Sequence, residues 1–165
     1  MNKFIEGLDR QFAQLHGGAH RLIKEIPSEL LYKQPGKRQP PGQSHSLPLH
    51  SCGEHILRSA GIVEQTFGGI TTNLWDDPFE WTLPENLTTP DKVAGYLDEV
   101  EATREHGFQL FKSDEDLLKE IMAPSGYIQL LALLLDTLMR AAHHQGRALA
   151  TLGILQAEKP GFETR

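Results

Sequence analysis

The sequence predicts an all-α protein, a four-helix bundle, on three observations. Three segments carry apolar residues at spacings of three and four, which is typical of a helix that buries one stripe. A fourth segment near the carboxyl end is apolar almost throughout, and no segment shows the alternation of a half-buried strand. We therefore expect four helices with two long loops, one after the first helix and one after the second.

The first helix is predicted over residues 4–26, where apolar residues recur on one face until a proline ends the pattern. Gly17 and Gly18 in its middle indicate either close packing or a kink. The following stretch, residues 32–48, contains too much proline and glycine for regular structure. Loops of this length often border functional sites, so this one is a candidate border.

The second helix is predicted over residues 49–68, with Pro48 at its start and a Gly-Gly pair at its end. The second loop then covers residues 70–89 and carries three large aromatic residues, Trp75, Phe79 and Trp81. These rings are too apolar for a free loop. We expect them to cover one end of the core.

The third helix is predicted to begin after Thr89, an N-cap residue that Pro90 follows at the first helical position. Its apolar stripe continues to Phe111 and includes Arg104. A buried arginine needs an ionic partner, and the alternative is that this side chain reaches the rim. A short helical piece over residues 113–120 and the final helix over residues 127–155 complete the prediction.

Composition excludes several classes of protein. The chain has 165 residues, enough for one domain over residues 1–165, and its net charge of −6 without a basic face argues against nucleic acid. A single cysteine, Cys52, excludes an internal disulfide and is typical of a reducing compartment. Charges interrupt both the amino terminus and the final helix, which argues against a signal peptide and a membrane span. We expect a cytoplasmic protein with no membrane partner.

The final helix carries the candidate site, within the stretch Arg-Ala-Ala-His-His-Gln-Gly-Arg at residues 140–147. Polar groups on a core-facing line must be hydrogen-bonded, metal-bound or facing a cavity, because bare burial is costly. Neighbouring His143 and His144 cannot both point inward, and we expect His144 to do so. Four polar residues fall near one line of this otherwise apolar helix, namely Thr137, Arg140, His144 and Thr151.

Three interpretations of this line stay open. His55 on the second helix could meet His144 across the core and hold a divalent metal with a third ligand, although Arg140 occupies the position four residues before His144. Alternatively, Glu54, Arg58, Arg140 and His144 form a hydrogen-bonded network without a ligand. In the third interpretation, Arg58 and Arg140 hold a small anion between them.

The histidines that stand singly on amphipathic helices are expected to be solvated or hydrogen-bonded rather than ligands, namely His16, His20 and His106.

Two stretches resemble the DinB-like superfamily of bacterial four-helix bundles, which includes YfiT-type thiol transferases and metal-dependent hydrolases. Residues 51–58, Ser-Cys-Gly-Glu-His-Ile-Leu-Arg, are similar to the opening of the family's second helix. Residues 140–147 are similar to the family's His-x-x-His-His-Arg-Gly-Gln. The two long loops and the apolar terminal helix extend the likeness to nearly the whole chain.

The resemblance implies a DinB-like bundle that binds a divalent metal, zinc or nickel, through one histidine on helix two and two histidines on helix four. His144 matches one of the helix-four ligands, and Arg140 stands where its partner would be. On helix two, the ligand position aligns with Arg58, with His55 as the alternative one turn earlier. The metal site would then consist of His55 and His144 and would be degenerate.

Two functions follow from this comparison. One is a metal-dependent hydrolase or thiol transferase. The other is a metal-free module that binds a small anionic ligand through Arg58, Arg140 and His144, with Glu54 and His143 beside them. Members of the family often form dimers, so the resemblance also implies a homodimer. A purely structural dimer without any site is a third possibility.

Overall fold

Four long helices make up most of the structure, a computed structural model that describes residues 2–36, 49–76 and 84–158. They are α1 (Lys3–Glu25), α2 (Cys52–Thr72), α3 (Pro90–Gln109) and α4 (Leu130–Ala157). Between α3 and α4, a short 3-10 helix (Asp114–Leu118) leads into a hairpin of β1 (Glu120–Ala123) and β2 (Gly126–Gln129). The prediction of a mostly helical protein with four long helices is confirmed.

The helices run up, down, down and up in chain order. α2 packs on α3 and α4, and α1 packs on the same two helices. Because α2 and α3 point the same way, the chain between them must return along the length of the bundle, which explains the long second loop. Contacting residues fix these directions: Asp9–Arg104 and His20–Asp98 between α1 and α3, His55–His144 and Thr66–Thr137 between α2 and α4, and Glu64–Tyr96 and Phe67–Phe108 between α2 and α3.

Three phenylalanines from three helices meet at the centre of the core. The ring centroids of Phe12 and Phe67 lie 5.1 Å apart in an edge-to-face arrangement, and Phe108 lies 5.3 Å from Phe67. Gly107 allows this contact, since a Cβ atom there would lie 2.5 Å from Cδ1 of Phe67. The core therefore depends on the absence of a side chain at Gly107.

The limits of α1 and α3 follow the sequence closely. α1 begins and ends within one residue of the prediction and is not broken at its glycines. At Gly18, a Cβ atom would lie 3.0 Å from Oε1 of Gln145, so the close-packing alternative applies there. Thr89 caps α3 by accepting a hydrogen bond from the Lys92 backbone N–H at 3.3 Å, as predicted.

The predicted limits of α2 were wrong at both ends. The helix begins at Cys52, after the N-cap Ser51, rather than at residue 49. It continues through the Gly-Gly pair to Thr72 and ends at Asn73, whose φ of 57° is left-handed. The ring of Trp75 packs where a side chain at Gly69 would lie, so this glycine serves a close contact instead of ending the helix. Pro48 lies outside the described residues.

The prediction that the chain contains no strand was also wrong. β1 and β2 pair antiparallel, with Ile121 opposite Ile128, and Gly126 at the turn has a φ of 111° that favours glycine. Residues 127–129, predicted as the first turn of the final helix, belong to β2, so α4 begins at Leu130. The apolar run through this region conceals the change from strand to helix, because its composition suits both.

The predicted aromatic cover is described only in part. Trp75 lies against α2, and its backbone carbonyl accepts a hydrogen bond from Gln65 Nε2 at 3.2 Å. Phe79, Trp81 and residues 37–48 of the first loop lie outside the described residues. Within the described part of the chain, no helix combines the length and the apolar content that crossing a bilayer would need.

Candidate functional site

The inward-facing line of α4 differs from the predicted one at a single residue. Thr137, His144 and Thr151 lie on it, His144 being half-buried and the two threonines buried. Arg140 does not, because the buried positions repeat at alternating spacings of three and four, which place Ala141 inward instead. Arg140 is exposed and pairs with Asp136 one turn earlier, N to O 3.4 Å. The predicted place of Arg140 in the site was therefore wrong.

Hydrogen bonds satisfy the polar groups between α2 and α4. The hydroxyls of Thr66 and Thr137 lie 2.8 Å apart, and Ser59 Oγ donates to the Ala141 carbonyl at 2.9 Å. Gln145 Nε2 donates to Ser59 Oγ at 3.3 Å, and to a carbonyl of α1. Of the predicted polar line, Thr137 is therefore held by hydrogen bonds, and Thr66, Ser59 and Gln145 form structural contacts beside it.

The two predicted histidines meet between α2 and α4. Nδ1 of His55 and Nδ1 of His144 lie 3.3 Å apart, so one imidazole N–H donates to the other ring nitrogen. His55 is 2% exposed, whereas His144 is half-buried and lies nearer to solvent. The sequence prediction that these residues converge is confirmed in its geometry.

The first turn of α2 holds His55 in place through a capping box. Ser51 Oγ accepts from the Glu54 backbone N–H, and the Glu54 carboxylate accepts from the Ser51 N–H at 2.7 Å. Nδ1 of His50 lies 3.6 Å from the same carboxylate, and its ring stands edge-on to His55 with centroids 5.4 Å apart. Glu54 is therefore a capping residue whose described contacts are to Ser51 and His50.

The surroundings of the pair are cationic. Burial lowers the pKa of His55 to about 4, and the charges of Arg147, His144, His50 and Arg58 add to the shift. Burial likewise lowers the pKa of His144 to about 4, and the charges of His143, Arg58, Arg147 and His50 lower it further. Both rings are accordingly neutral at pH 7.

Arg58 and Arg147 take symmetrical positions around the pair. Arg58 follows His55 by three residues on α2, and Arg147 follows His144 by three residues on α4. Because the helices are antiparallel, the two arginines flank the histidine pair on opposite sides along the bundle axis. Arg147 is thus the residue that sequence reasoning missed, although the His-x-x-Arg spacing occurs in both stretches that carry the family resemblance.

His143 and Cys52 lie beside this site without joining the pair. His143 is exposed, with its ring centroid 5.9 Å from that of His144. Cys52 is fully buried, its thiol lies 3.5 Å from the Ala148 carbonyl, and burial raises its pKa to about 11. A thiol held neutral in this way is a poor nucleophile.

A second histidine cluster lies between α1 and α3, where the sequence prediction assigned none. His16, His20 and Asp98 present donor atoms that all lie within 4.8 Å of one another, so this group could hold a metal ion. His16 and His20 do not stand singly, but the expected hydrogen-bonded role of His20 is confirmed, since its Nε2 lies 2.9 Å from Asp98 Oδ1. Their spacing of four residues, which puts both on one helix face, is the sequence signal for this cluster.

Arg104 lies next to this cluster and confirms the paired alternative. It is 3% exposed, its Nε donates to Glu101 Oε2 at 2.9 Å, and its NH2 group donates to Oε1 of the same carboxylate at 2.7 Å. Its NH1 group pairs with Asp9 on α1. Although burial alone would lower the pKa of Arg104, these carboxylates raise it. The side chain does not reach the rim.

Comparison with known proteins adds no assignment: no protein-family model matches the chain, and no curated protein sequence matches it. The functional interpretation therefore stands on the two histidine clusters and their surroundings.

Proposed function

We propose that this chain is a DinB-like helical-bundle protein whose site between α2 and α4 binds a small anionic molecule. In this proposal His144 contacts the anion, Arg58 and Arg147 supply the positive charge, and His55 orients His144 from behind. The observation that carries it is a pair of imidazoles between α2 and α4, 3.3 Å apart, on which the positive charges of Arg58 and Arg147 both act. Arg147 replaces Arg140 in the predicted set.

Chemistry favours an anion over a bare cation at this place. Two guanidinium groups near one point repel a metal ion, whereas a carboxylate or a phosphate-like group can accept charge-assisted hydrogen bonds from both. A neutral His144 with its Nδ1 engaged by His55 keeps Nε2 for a ligand. The pair can therefore fix the orientation of a bound molecule.

A metal-dependent hydrolase or thiol transferase at the same place is the second candidate. The 3.3 Å between the two Nδ1 atoms supports it, since zinc bonds of about 2.0–2.1 Å in a tetrahedron set ligand nitrogens roughly 3.4 Å apart. Within the described residues, however, no carboxylate, cysteine or further histidine joins the pair as a third donor within the same reach. Zinc or nickel here would need a ligand from elsewhere, such as the anion itself.

The test uses metal-free protein, treated with EDTA, and inorganic phosphate as the probe at constant ionic strength. A ligand at ten times its dissociation constant stabilises the fold by about 1.4 kcal/mol, which raises the melting temperature by about 2–5 °C in a chain of this size. We expect this rise for phosphate relative to chloride. Arg58→Gln and Arg147→Gln should each reduce it by more than half.

Arg140→Gln is the matched control, because it removes the same charge from the same exposed face of α4, two turns before Arg147, where Arg140 pairs with Asp136. It should leave the phosphate effect unchanged. Loss of the effect in Arg140→Gln, or no effect of phosphate in the parent protein, would refute the anion proposal. A phosphate effect that appears only after zinc or nickel is added would support the metal-dependent candidate instead.

The proposed homodimer has a candidate surface on the outer side of α4. Leu135, Met139 and Leu149 are 51%, 66% and 60% exposed and lie on one face of the helix. Exposed apolar residues in a row are typical of an association surface. Light scattering of the parent protein and of Met139→Glu tests the proposal, since a dimer through this face should become a monomer in the variant.

A further inference from the structure

We propose that His16, His20 and Asp98 bind one divalent transition-metal ion that links α1 to α3, independently of the site between α2 and α4. His16 and His20 are one helical turn apart, with ring centroids 4.6 Å apart. Histidines four residues apart on one helix can chelate a single ion. Asp98 supplies a donor from the facing helix.

The distances suit an ion held by two nitrogens and one oxygen. Asp98 Oδ1 lies 2.9 Å from His20 Nε2 and 3.9 Å from His16 Nε2. Bonds of about 2.0–2.2 Å in a tetrahedral site place donor atoms roughly 3.3–3.6 Å apart, between these two values. Small rotations of exposed side chains would equalise the distances, and the ion would replace the hydrogen bond between His20 and Asp98.

Glu101 provides the support that a metal-binding histidine usually has. The Nε2 atom of His16 faces Asp98, and its Nδ1 atom lies 3.9 Å from Glu101 Oε2. A carboxylate that closes this distance to a hydrogen bond at the second ring nitrogen would fix the tautomer and make the first nitrogen a better ligand. Glu101 is itself held by two hydrogen bonds from Arg104, so its position does not depend on the ion.

The local charge also favours a cation. Asp9, Asp98 and Glu101 contribute three negative charges, and Arg104 offsets one of them. Two imidazoles and one carboxylate select zinc, nickel, cobalt or copper over magnesium and calcium.

Three protein donors leave the fourth position open to solvent. The side chains of His16, His20 and Asp98 are 23%, 20% and 68% exposed, so water or a ligand atom can reach the ion. An open position is the feature that separates a reactive zinc site from a purely structural one. The ion would also link α1 to α3, which the ion pair between Asp9 and Arg104 already joins.

Calorimetric titration of untagged, EDTA-treated protein with zinc tests the proposal, and cobalt is a spectroscopic substitute. We expect one ion per chain, with cobalt giving the intense visible bands of four-coordinate sites. His20→Ala and Asp98→Asn should each weaken binding by tenfold or more. Both side chains lie at the surface, so the variants should fold, which circular dichroism checks directly.

Matched controls separate this site from the other one. His106→Ala, an exposed histidine on α3, and His144→Ala should leave the zinc affinity within twofold of the parent protein. Stoichiometric binding that survives His20→Ala and Asp98→Asn would overturn the proposal. So would binding lost in His144→Ala, or no binding of zinc or cobalt at millimolar concentration. None of these results depends on whether phosphate binds.

Discussion

The two histidine clusters of this protein use the same residue type in opposite electrostatic environments. Between α2 and α4, His55 and His144 are surrounded by positive groups, and their pKa values are lowered to about 4. Between α1 and α3, the carboxylates of Asp98 and Glu101 stand beside His16 and His20, and the Arg104 guanidinium holds Glu101 in place. We propose an anion as the ligand of the first cluster and a cation as the ligand of the second.

From this difference we expect the neighbours of a histidine, more than its burial, to decide what it binds. The better buried pair looks like a metal site by distance alone, because its two nitrogens have the spacing of tetrahedral ligands. The positive charges of Arg58 and Arg147 near this pair oppose the binding of a cation. The more exposed cluster has less ideal distances but the charges that a metal requires.

The largest expected effect comes from removing Arg104, the cation that pairs with Asp9 and Glu101 between α1 and α3. Arg104→Met leaves Asp9 and Glu101 without their counter-ion next to a buried position. Breaking one partner of a buried ion pair costs about 3 kcal/mol, and we expect a loss of this size in urea unfolding. Arg140→Met, which breaks only an exposed pair with Asp136, should cost less than about 0.5 kcal/mol.

A double variant sharpens that experiment. Glu101→Gln added to Arg104→Met removes the uncompensated charge and should recover part of the lost stability, giving a favourable coupling between the two positions. Additive losses would mean that Arg104 stabilises the core mainly by packing. Its guanidinium does lie 5.4 Å from the Phe108 ring centroid, so the packing share is measurable by this cycle.

Acid should act mainly on the other cluster. The folded-state pKa values of His55 and His144, about 4, lie below the unfolded value near 6.5, so the unfolded chain binds more protons between these limits. Stability is present in full above pH 6.5 and falls as the pH drops toward 4. Each ring of the pair should contribute a loss of about 2 kcal/mol between pH 7 and pH 5, measured by urea unfolding with EDTA present.

His144→Asn tests whether the pair causes this pH dependence. The variant should lose a substantial part of the change in unfolding free energy between pH 7 and pH 5. His106→Asn changes an exposed ring on α3, away from the pair, and we expect the pH dependence of the parent protein there. Equal curves for His144→Asn and the parent would show that other groups cause the acid sensitivity.

The sequence predicted elements better where local chemistry decides them than where tertiary contacts do. The Thr89 cap and the stripe through Arg104 are local patterns, and both are confirmed. The hairpin was missed because Ile121 and Ile128 gain their strand character by pairing with one another. The Gly-Gly pair in α2 predicts a helix end by its local chemistry. Gly69 instead makes room for the ring of Trp75, a residue beyond the end of the helix.

The candidate site divides in the same way. The meeting of His55 and His144 could be predicted, since both lie on inward lines of their helices. The place of Arg140 could not, because a shift of one residue moves a side chain by about 100° around a helix, from the seam to solvent. The metal-compatible cluster needs Asp98 from another helix, and without an established topology no local pattern pairs α1 with α3.

The smallest expected effect tests whether the N-terminal cap of α2 supports the pair of His55 and His144. Ser51→Ala removes the hydroxyl that caps α2 and positions Glu54, at a cost of about 1 kcal/mol. Thr89→Ala removes the cap of α3 and should cost about as much, so it is the matched control for stability. Only Ser51→Ala should also shift the imidazole NMR signals of His55 and His144, because its cap lies one turn before His55 on the same helix. Equal shifts in both variants, or none in either, would mean that the capping box stabilises α2 without setting the geometry of the histidine pair.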